Sequence, residues 1–494
     1  MRTFSTIPIM LFTFVCALAL AASAVGTGMV PDDAVALWAA AVTAGDGELS
    51  VGSIVAAYPS IPFLATTLTE LITPAGTPTP ALLAAAILAL LAGVWFHALL
   101  ALGLQAWLAA IATLLLAFHP MLLRAAMAGP GEMFLAASLY FFGISLYDLR
   151  ARTNIPEVMM TGLALLAVAF SHPIGAAIAA AAVPFLAFAV RPVFVAGSAV
   201  NIVLTLVFPT VFAAAAFAYV SWVFPGDGWR FFASNESTPV WIASLGRLTP
   251  GGLIGMQALE AGFIIAAAIA MAAPAGIAII TWVHRRRPLA APAVIFAATA
   301  VTAAVFAVAT GLFGHPVTVT VAAPVLAAVV LTRVPIAHYR RATVILLLVL
   351  GFAGGALGLA AVDPRTTTSL VAALQGRASD QERADALGLG GATGRRDGIL
   401  VDAFNSPAVV LGRGHSSGLF LPSGDRFNIA MLFSRIEAPF VAVPDPQSRL
   451  GAADRLNKAF PLLYRDGTPG YRLIYQNNTW RLFARQSLDV VYVN

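Results

Sequence analysis

The residues best suited to chemistry in this chain are two adjacent carboxylates, Asp32 and Asp33, a short way past the first apolar segment. The aromatic-proline stretch Tyr58-Pro59-Ser60-Ile61-Pro62-Phe63-Leu64 follows in the same loop. Acidic residues number only 23 in 494, so a pair placed where the chain leaves an apolar run needs a reason. Ionised groups near hydrocarbon are costly and mark function more often than not. A carboxylate within hydrogen-bond reach of a hydroxyl can take its proton as that oxygen attacks. The complementary task, holding an anionic group, suits arginine, whose planar fork donates to two oxygens at once. Arg124, Arg230 and Arg247 are the candidates for it, with Glu132 behind Gly129-Pro130-Gly131 and with His119, His172 and His315 at predicted helix ends.

Composition fixes the setting for these groups. Hydrophobic residues make up 60% of the chain and charged residues 10%, and the mean hydropathy is +0.87, far outside the range of soluble domains. Apolar runs long enough to cross a bilayer recur as far as residue 362. They predict spans near 6–26, 80–100, 104–120, 132–148, 157–171, 173–190, 194–223, 252–283, 289–310, 316–332 and 342–362, eleven in all. The formal charge of +5 does not point to nucleic acid, because the arginines lie in inter-helix loops or the C-terminal region and Lys458 is the single lysine. One cysteine, Cys16, within an apolar run excludes a disulfide framework and a thiol metal site.

The arginines also orient the spans. Arg2, Arg150, Arg152, Arg191, Arg285, Arg286, Arg287, Arg333, Arg340 and Arg341 fall on one side, against membrane-proximal Arg124, Arg230 and Arg247 on the other, ten to three. The positive-inside rule then puts the N-terminus in the cytoplasm and the C-terminal region outside. A rival reading of the first span is a signal peptide ending at Ala21-Ala22-Ser23-Ala24. Outside lie a first loop, 27–79, in which Asp32–Thr43 has the pattern of a surface helix, and a later aromatic loop, 224–250. The organisation expected is a membrane domain over 1–362 and a soluble domain over 363–494. In the latter, Gly398–Val401, Pro407–Leu411, Phe440–Val443 and Tyr471–Tyr475 read as strands and Ala453–Ala459 as helix, an α/β pattern. Gly388-Leu389-Gly390-Gly391 reads as a flexible linker.

Laid out this way, the chain resembles the GT-C superfamily of integral membrane glycosyltransferases, in particular the bacterial branch of protein mannosyltransferases, aminoarabinose lipid A transferases and rhizobial galacturonosyltransferases. The resemblance rests on Pro31-Asp32-Asp33-Ala34 with the Tyr58–Leu64 stretch, on His119-Pro120 with Arg124 and Gly129-Pro130-Gly131-Glu132-Met133, and on Gly162–Phe170 with Ser171-His172-Pro173-Ile174-Gly175. Trp229-Arg230-Phe231-Phe232 and Gly314-His315-Pro316 complete it. The chain departs from the pattern in three places. Asp33 replaces a glutamate, Ala57-Tyr58 stands where relatives carry a lysine, and His172 stands where a Thr-Lys pair is common.

What the resemblance implies is a polytopic α-helical membrane protein of about eleven transmembrane helices with a C-terminal extracytoplasmic α/β domain, in a bacterial inner membrane. It implies inverting transfer of a sugar from a polyprenyl-phosphate carrier to a lipid, glycan or protein acceptor, amid membrane lipids. Asp32 matches the family's catalytic base, with Asp33 beside it. Tyr58, Arg124, Glu132, His172, Arg230, Arg247 and His315 become candidates for substrate binding. The resemblance also admits a divalent metal, although no HExxH or compact His/Glu cluster stands in the sequence.

Each residue has a structural alternative. Asp32 and Asp33 suit a helix N-terminus, as does Glu132. Arg124 suits an interfacial anchor, Arg230 and Arg247 solvated loop charges, His172 and His315 helix ends, and Tyr58 an interfacial aromatic. Two other functions compete: a transporter or flippase for a lipid-linked substrate, and a non-catalytic envelope scaffold. The first would carry ionisable groups at mid-membrane depth, whereas here most gather at helix ends, Glu260 inside a long apolar span being an exception.

Overall fold

The apolar runs are helices because lipid offers the backbone no hydrogen-bond partner, so each span must satisfy its own N–H and C=O groups. The computed structural model describes residues 6–26, 30–49, 51–55, 57–74, 76–190, 192–223, 256–284, 290–310, 316–334, 341–362, 375, 380–394 and 396–486. Among them, six helices are long and apolar enough to cross a membrane, or up to eight if each of two bent pairs is one span. Ile155–Ser171, Pro173–Ala189 and Val317–Arg333 are apolar but shorter. Three of the eleven expected spans thus fall short of that length, and Ser60–Ile72, expected within the first loop, is an apolar helix of the same short class. The surface also has the character of a membrane protein. Helix Pro192–Val223 leaves Leu204, Phe208, Phe212 and Trp222 more than 60% exposed, a patch that water would not tolerate on a soluble domain.

Two of the expected spans are broken. The 252–283 run divides into Met256–Ala272 and Pro274–His284, which meet at 80°. Pro274 explains the break, since it supplies no N–H and its ring crowds the preceding turn. The 104–120 run ends at Ala117, and a second helix, Pro120–Ala128, leaves it at 55°. Arg124 therefore sits on a buried short helix and not in a loop.

The chain divides into two compact units. The first comprises Met1–Ala24, Ala56–Pro62 and Pro80–Leu374. In it Pro130–Arg152 packs on Ile155–Ser171 and Ala322–Arg333, Pro173–Ala189 on Ala291–Thr310, and Met256–Ala272 on Arg341–Val362. That last pair approaches closely because Gly351, Gly354, Gly355 and Gly358 line one side of Arg341–Val362. A Cβ added at Gly354 would lie 2.1 Å from the Met271 carbonyl oxygen, and one at Gly355 2.4 Å from the His119 ring. Small residues at helix contacts are how membrane helices gain packing where burial from water cannot drive them together.

The second unit comprises Val25–Val55, Phe63–Thr79 and Gln375–Asn494. The first loop, apart from Ala56–Pro62, thus groups with the C-terminal region, and it is helical at Asp32–Gly45, as its pattern predicts, and again over Val51–Val55 and Ser60–Ile72. The C-terminal part holds a sheet of β1 (Ile399–Leu400), β2 (Leu419–Phe420), β3 (Phe440–Pro444), β4 (Tyr471–Gln476) and β5 (Trp480–Arg485). Its order is β2-β1-β3-β5-β4, parallel on the β2-β1-β3 side and antiparallel through β3-β5-β4. Leu400, Val441, Val443, Phe427, Leu456 and Phe483 form its core.

Two local expectations change here. Pro407–Leu411, expected as a strand, lies in a turn and the helix Ala408–Arg413, closed by Gly414 in the left-handed conformation that favours glycine. Gly388–Gly391, expected as a linker, lies within helix Gln381–Thr393. Its Gly390 lets the two helices touch, since a Cβ there would meet the Val409 carbonyl oxygen at 2.3 Å.

Gly354→Ala is expected to destabilise the first unit by about 1–3 kcal/mol, the usual range for overpacking. Gly354→Leu is expected to prevent recovery of monodisperse protein in detergent. Thermal unfolding and size-exclusion profiles check both, and a Gly354→Leu protein of wild-type stability would contradict the close helix contact.

Candidate functional site

Four of the predicted site residues, Tyr58, Arg124, Glu132 and His172, meet where helices of the first unit turn. Gly129 ends helix Pro120–Ala128 at φ 115°, a backbone region open to glycine and strained for other residues. The chain re-enters a helix at Pro130, which places Glu132 in the first turn of Pro130–Arg152. A carboxylate is favoured there by the helix N-terminus. The same turn brings it back to Arg124, eight residues earlier: Arg124 Nη1 donates to Glu132 Oε2 at 2.6 Å. The other carboxylate oxygen, Oε1, accepts from Thr318 Oγ1 at 3.1 Å. Arg124, Glu132 and Thr318 are all buried. Arg124 Nε is buried as well, with no hydrogen-bond partner among the described residues. The pair is thus charge-balanced, with one guanidinium donor unspent.

His172 sits beside this pair, in contact distance of the Gly131 position and near enough for the Arg124 charge to act on its ring. Its Nδ1 accepts the Ile174 N–H at 3.1 Å, capping helix Pro173–Ala189. Tyr58 fixes the same turn from outside it. Its hydroxyl donates to the Ala169 carbonyl at 2.8 Å and lies 3.4 Å from that of His172, while its ring stands edge-on to Phe170. Tyr58 is buried, so its place is inside the bundle and not at a lipid interface. His119 does structural work. Nδ1 caps the helix that carries Arg124, and Nε2 lies 3.1 Å from the carbonyls of both Ala272 and Gly351. That tautomer leaves His119 neutral, with every ring nitrogen spent.

Asp32 and Asp33 belong to the second unit, at the start of helix Asp32–Gly45. Asp32 Oδ1 accepts from Arg383 Nη2 at 2.6 Å and Oδ2 from Arg449 Nη1 at 3.1 Å. Arg383 also donates to the Val30 carbonyl, and Arg449 Nη2 reaches Asp380 at 3.0 Å. A second tie is made at the other end of the helix, where Asp46 Oδ2 accepts from the backbone N–H and hydroxyl of Ser416 at 2.6 and 2.8 Å. Asp33 is exposed, and its Oδ1 accepts the Ala34 N–H at 2.9 Å. The surface helix predicted for the first loop is therefore held to the C-terminal region at both ends.

Arg230, Arg247 and His315 lie outside the described residues, as do loop 224–250 and Arg2, Arg191, Arg285, Arg286, Arg287 and Arg340. Thr318, Arg383 and Arg449 are partners that sequence reasoning missed. No local pattern marks them, since each is defined by a contact far along the chain. The glycine series at 351–358 did leave a signal, in its four-residue spacings within an apolar helix. Among the described residues, no group of three or more His, Cys, Asp or Glu side chains is placed to hold a metal ion. Comparison with protein-family models and with curated proteins finds no match to the chain.

Removing one member of the Arg124–Glu132 pair strands the other charge inside the bundle, an effect of about 3–5 kcal/mol in buried pairs. Arg124→Met and Glu132→Met are each expected to lose that much stability, and the double variant to recover most of it. Thermal unfolding of the three proteins in one detergent measures the coupling. Additive losses in the double variant would contradict a direct buried pair.

Proposed function

We propose that this chain is a membrane glycosyltransferase that moves a sugar from a polyprenyl-phosphate carrier to an envelope acceptor at the outer face of a bacterial inner membrane. The observation that carries the reading is the buried Arg124, paired with Glu132, keeping an unspent Nε donor and near enough for its charge to act on His172. A guanidinium inside an apolar bundle is costly unless something uses it. A lipid-borne phosphate supplies both the apolar tail for the bundle and the anion for the arginine.

In the reaction proposed, the acceptor hydroxyl gives its proton to the Asp32 carboxylate while its oxygen bonds to the anomeric carbon from the face opposite the phosphate. The bond from that carbon to the phosphate oxygen breaks, and polyprenyl phosphate leaves with the electron pair. Configuration inverts. Within this reading the protein has eleven spans, its N-terminus in the cytoplasm and residues 363–494 outside, as the ten-to-three division of arginines supports. The other donor-binding candidates remain His315, Arg230 and Arg247.

A second reading, a non-catalytic envelope scaffold, has its own observation. Both oxygens of Asp32 already accept from arginines, so the residue serves as a tether whether or not it takes a proton. A carboxylate has about four lone-pair sites, which leaves room for both roles. The test is a mass-spectrometric comparison of envelope glycolipids in cells with and without the gene, complemented with variants. Under the enzyme reading, Asp32→Asn abolishes the modification at unchanged membrane levels, while an Arg383→Ala/Arg449→Ala protein keeps a reduced share of it. Wild-type modification by Asp32→Asn would refute the base assignment, and no difference between the strains would favour the scaffold.

A further inference from the structure

Two of the carboxylates buried in the C-terminal part of the second unit have open oxygens among the described residues. Asp402 follows β1 and Asp454 precedes the short helix Arg455–Ala459. They are 1% and 0% exposed. The backbone N–H of Arg455, the residue after Asp454, donates to Asp402 Oδ2 at 3.0 Å, so one peptide joins the two acids. Asp454 Oδ1 accepts the Asn457 N–H at 2.8 Å.

The remaining oxygens are the anomaly. Asp402 Oδ1, Asp454 Oδ2, Ser406 Oγ and Asn457 Oδ1 are all buried and have no hydrogen-bond partner among the described residues. The Asn457 amide is held in one orientation, because its nitrogen donates to the carbonyls of Pro444 and Gly451 at 2.9 and 3.1 Å. The Lys458 ammonium is spent elsewhere, on the Ala453 carbonyl. No side-chain cation bonds to either acid among the described residues, and unpaired buried charge is strongly unfavourable.

A proton would remove one charge and give a donor to one oxygen. A divalent cation would balance both charges and would need unpaired oxygens of the kind these side chains keep. We propose that Asp402, Ser406, Asp454 and Asn457 form a binding site for a hard divalent cation that locks the segment after β1 onto the segment leading into Arg455–Ala459. An all-oxygen set selects Ca2+ or Mg2+ over softer metals. Mg2+ keeps several of its waters whereas Ca2+ accepts protein oxygens in irregular geometry, and four oxygens this deeply buried favour Ca2+.

Burial first, then the nearby charge of Asp402, pushes the Asp454 carboxyl up to about 7 against the opposing pull of the Asn457 and Leu456 N–H groups and the Lys458 charge. The folded protein then binds this proton more tightly than the unfolded chain. Metal-free stability accordingly falls as pH rises from about 4, the ordinary value for Asp, through 7. A bound cation removes that loss, because it favours the ionised form.

The test uses the full chain in detergent, stripped with EDTA at pH 7.5 and titrated with CaCl2 or MgCl2 against a KCl control of equal ionic strength. Expected are a melting temperature raised by several degrees at saturating Ca2+, a smaller rise with Mg2+, and one equivalent of Ca2+ by elemental analysis after desalting. Asp454→Asn, which keeps the helix cap and removes a buried charge, is expected to fold with a higher metal-free melting temperature and no Ca2+ response. A wild-type protein that shows no Ca2+ or Mg2+ response up to millimolar concentration, and gains stability only on acidification, would overturn the proposal in favour of a shared proton. An undiminished Ca2+ response in Asp454→Asn would overturn it equally.

Discussion

The constraint on which the membrane unit depends is that an arginine lies inside it. Arg124 is buried on helix Pro120–Ala128, and a guanidinium, unlike a lysine, does not lose its proton to escape the cost. Its surroundings answer that demand. The 55° bend at His119-Pro120, the turn at Gly129 and the helix start at Pro130 bring Glu132 against it at 2.6 Å. Thr318 satisfies the second oxygen of Glu132. His119, held between the carbonyls of Ala272 and Gly351, ties the short helix to the rest of the bundle. The glycines on Arg341–Val362 then admit the His119 ring, since a side chain at Gly355 would occupy its place. Breaks in apolar helices are thus bound up with the placement of one cation.

A different interaction organises the second unit. Helix Asp32–Gly45 is distant in sequence from the C-terminal region yet joined to it by Asp32 with Arg383 and Arg449, and by Asp46 with Ser416. Exposed ion pairs taken singly contribute little. Here the arginines are shared among Asp32, Asp380 and Glu382, and Arg383 is largely buried. Networks of that kind orient as well as stabilise. In a transferase they would hold the carboxylate in one direction, and in a scaffold they would serve as the tether itself.

Much of the architecture was legible because hydropathy acts along the chain. The expected spans are helical in the described residues, two of them as sharply bent pairs, and the weak amphipathic pattern after Asp32 is a helix. What escaped depends on contacts across the chain. Pro274 and Pro120 are visible, but whether such a proline kinks a helix or divides it is decided by packing. The run Pro407–Leu411 is apolar enough for a strand, and it becomes helical because Gly390 and Gly412 let it pack against Gln381–Thr393. Of the site, Arg124 and Glu132 could be singled out by their rarity in apolar surroundings, and Tyr58 and His172 by their place at turns. Their mutual approach could not, and neither could the role of Thr318, whose partner lies 186 residues away.

The central claim of the proposed function is that Arg124 holds a phosphate carried on an isoprenoid lipid. Native mass spectrometry of the purified chain with added polyprenyl phosphate, wild type against the Arg124→Met/Glu132→Met protein, tests it directly, because the double change removes the cation without stranding a buried charge. The account predicts that the wild type retains the lipid under activation that strips it from the variant, while a neutral polyprenol binds both alike. Equal retention of polyprenyl phosphate by the two proteins would contradict it.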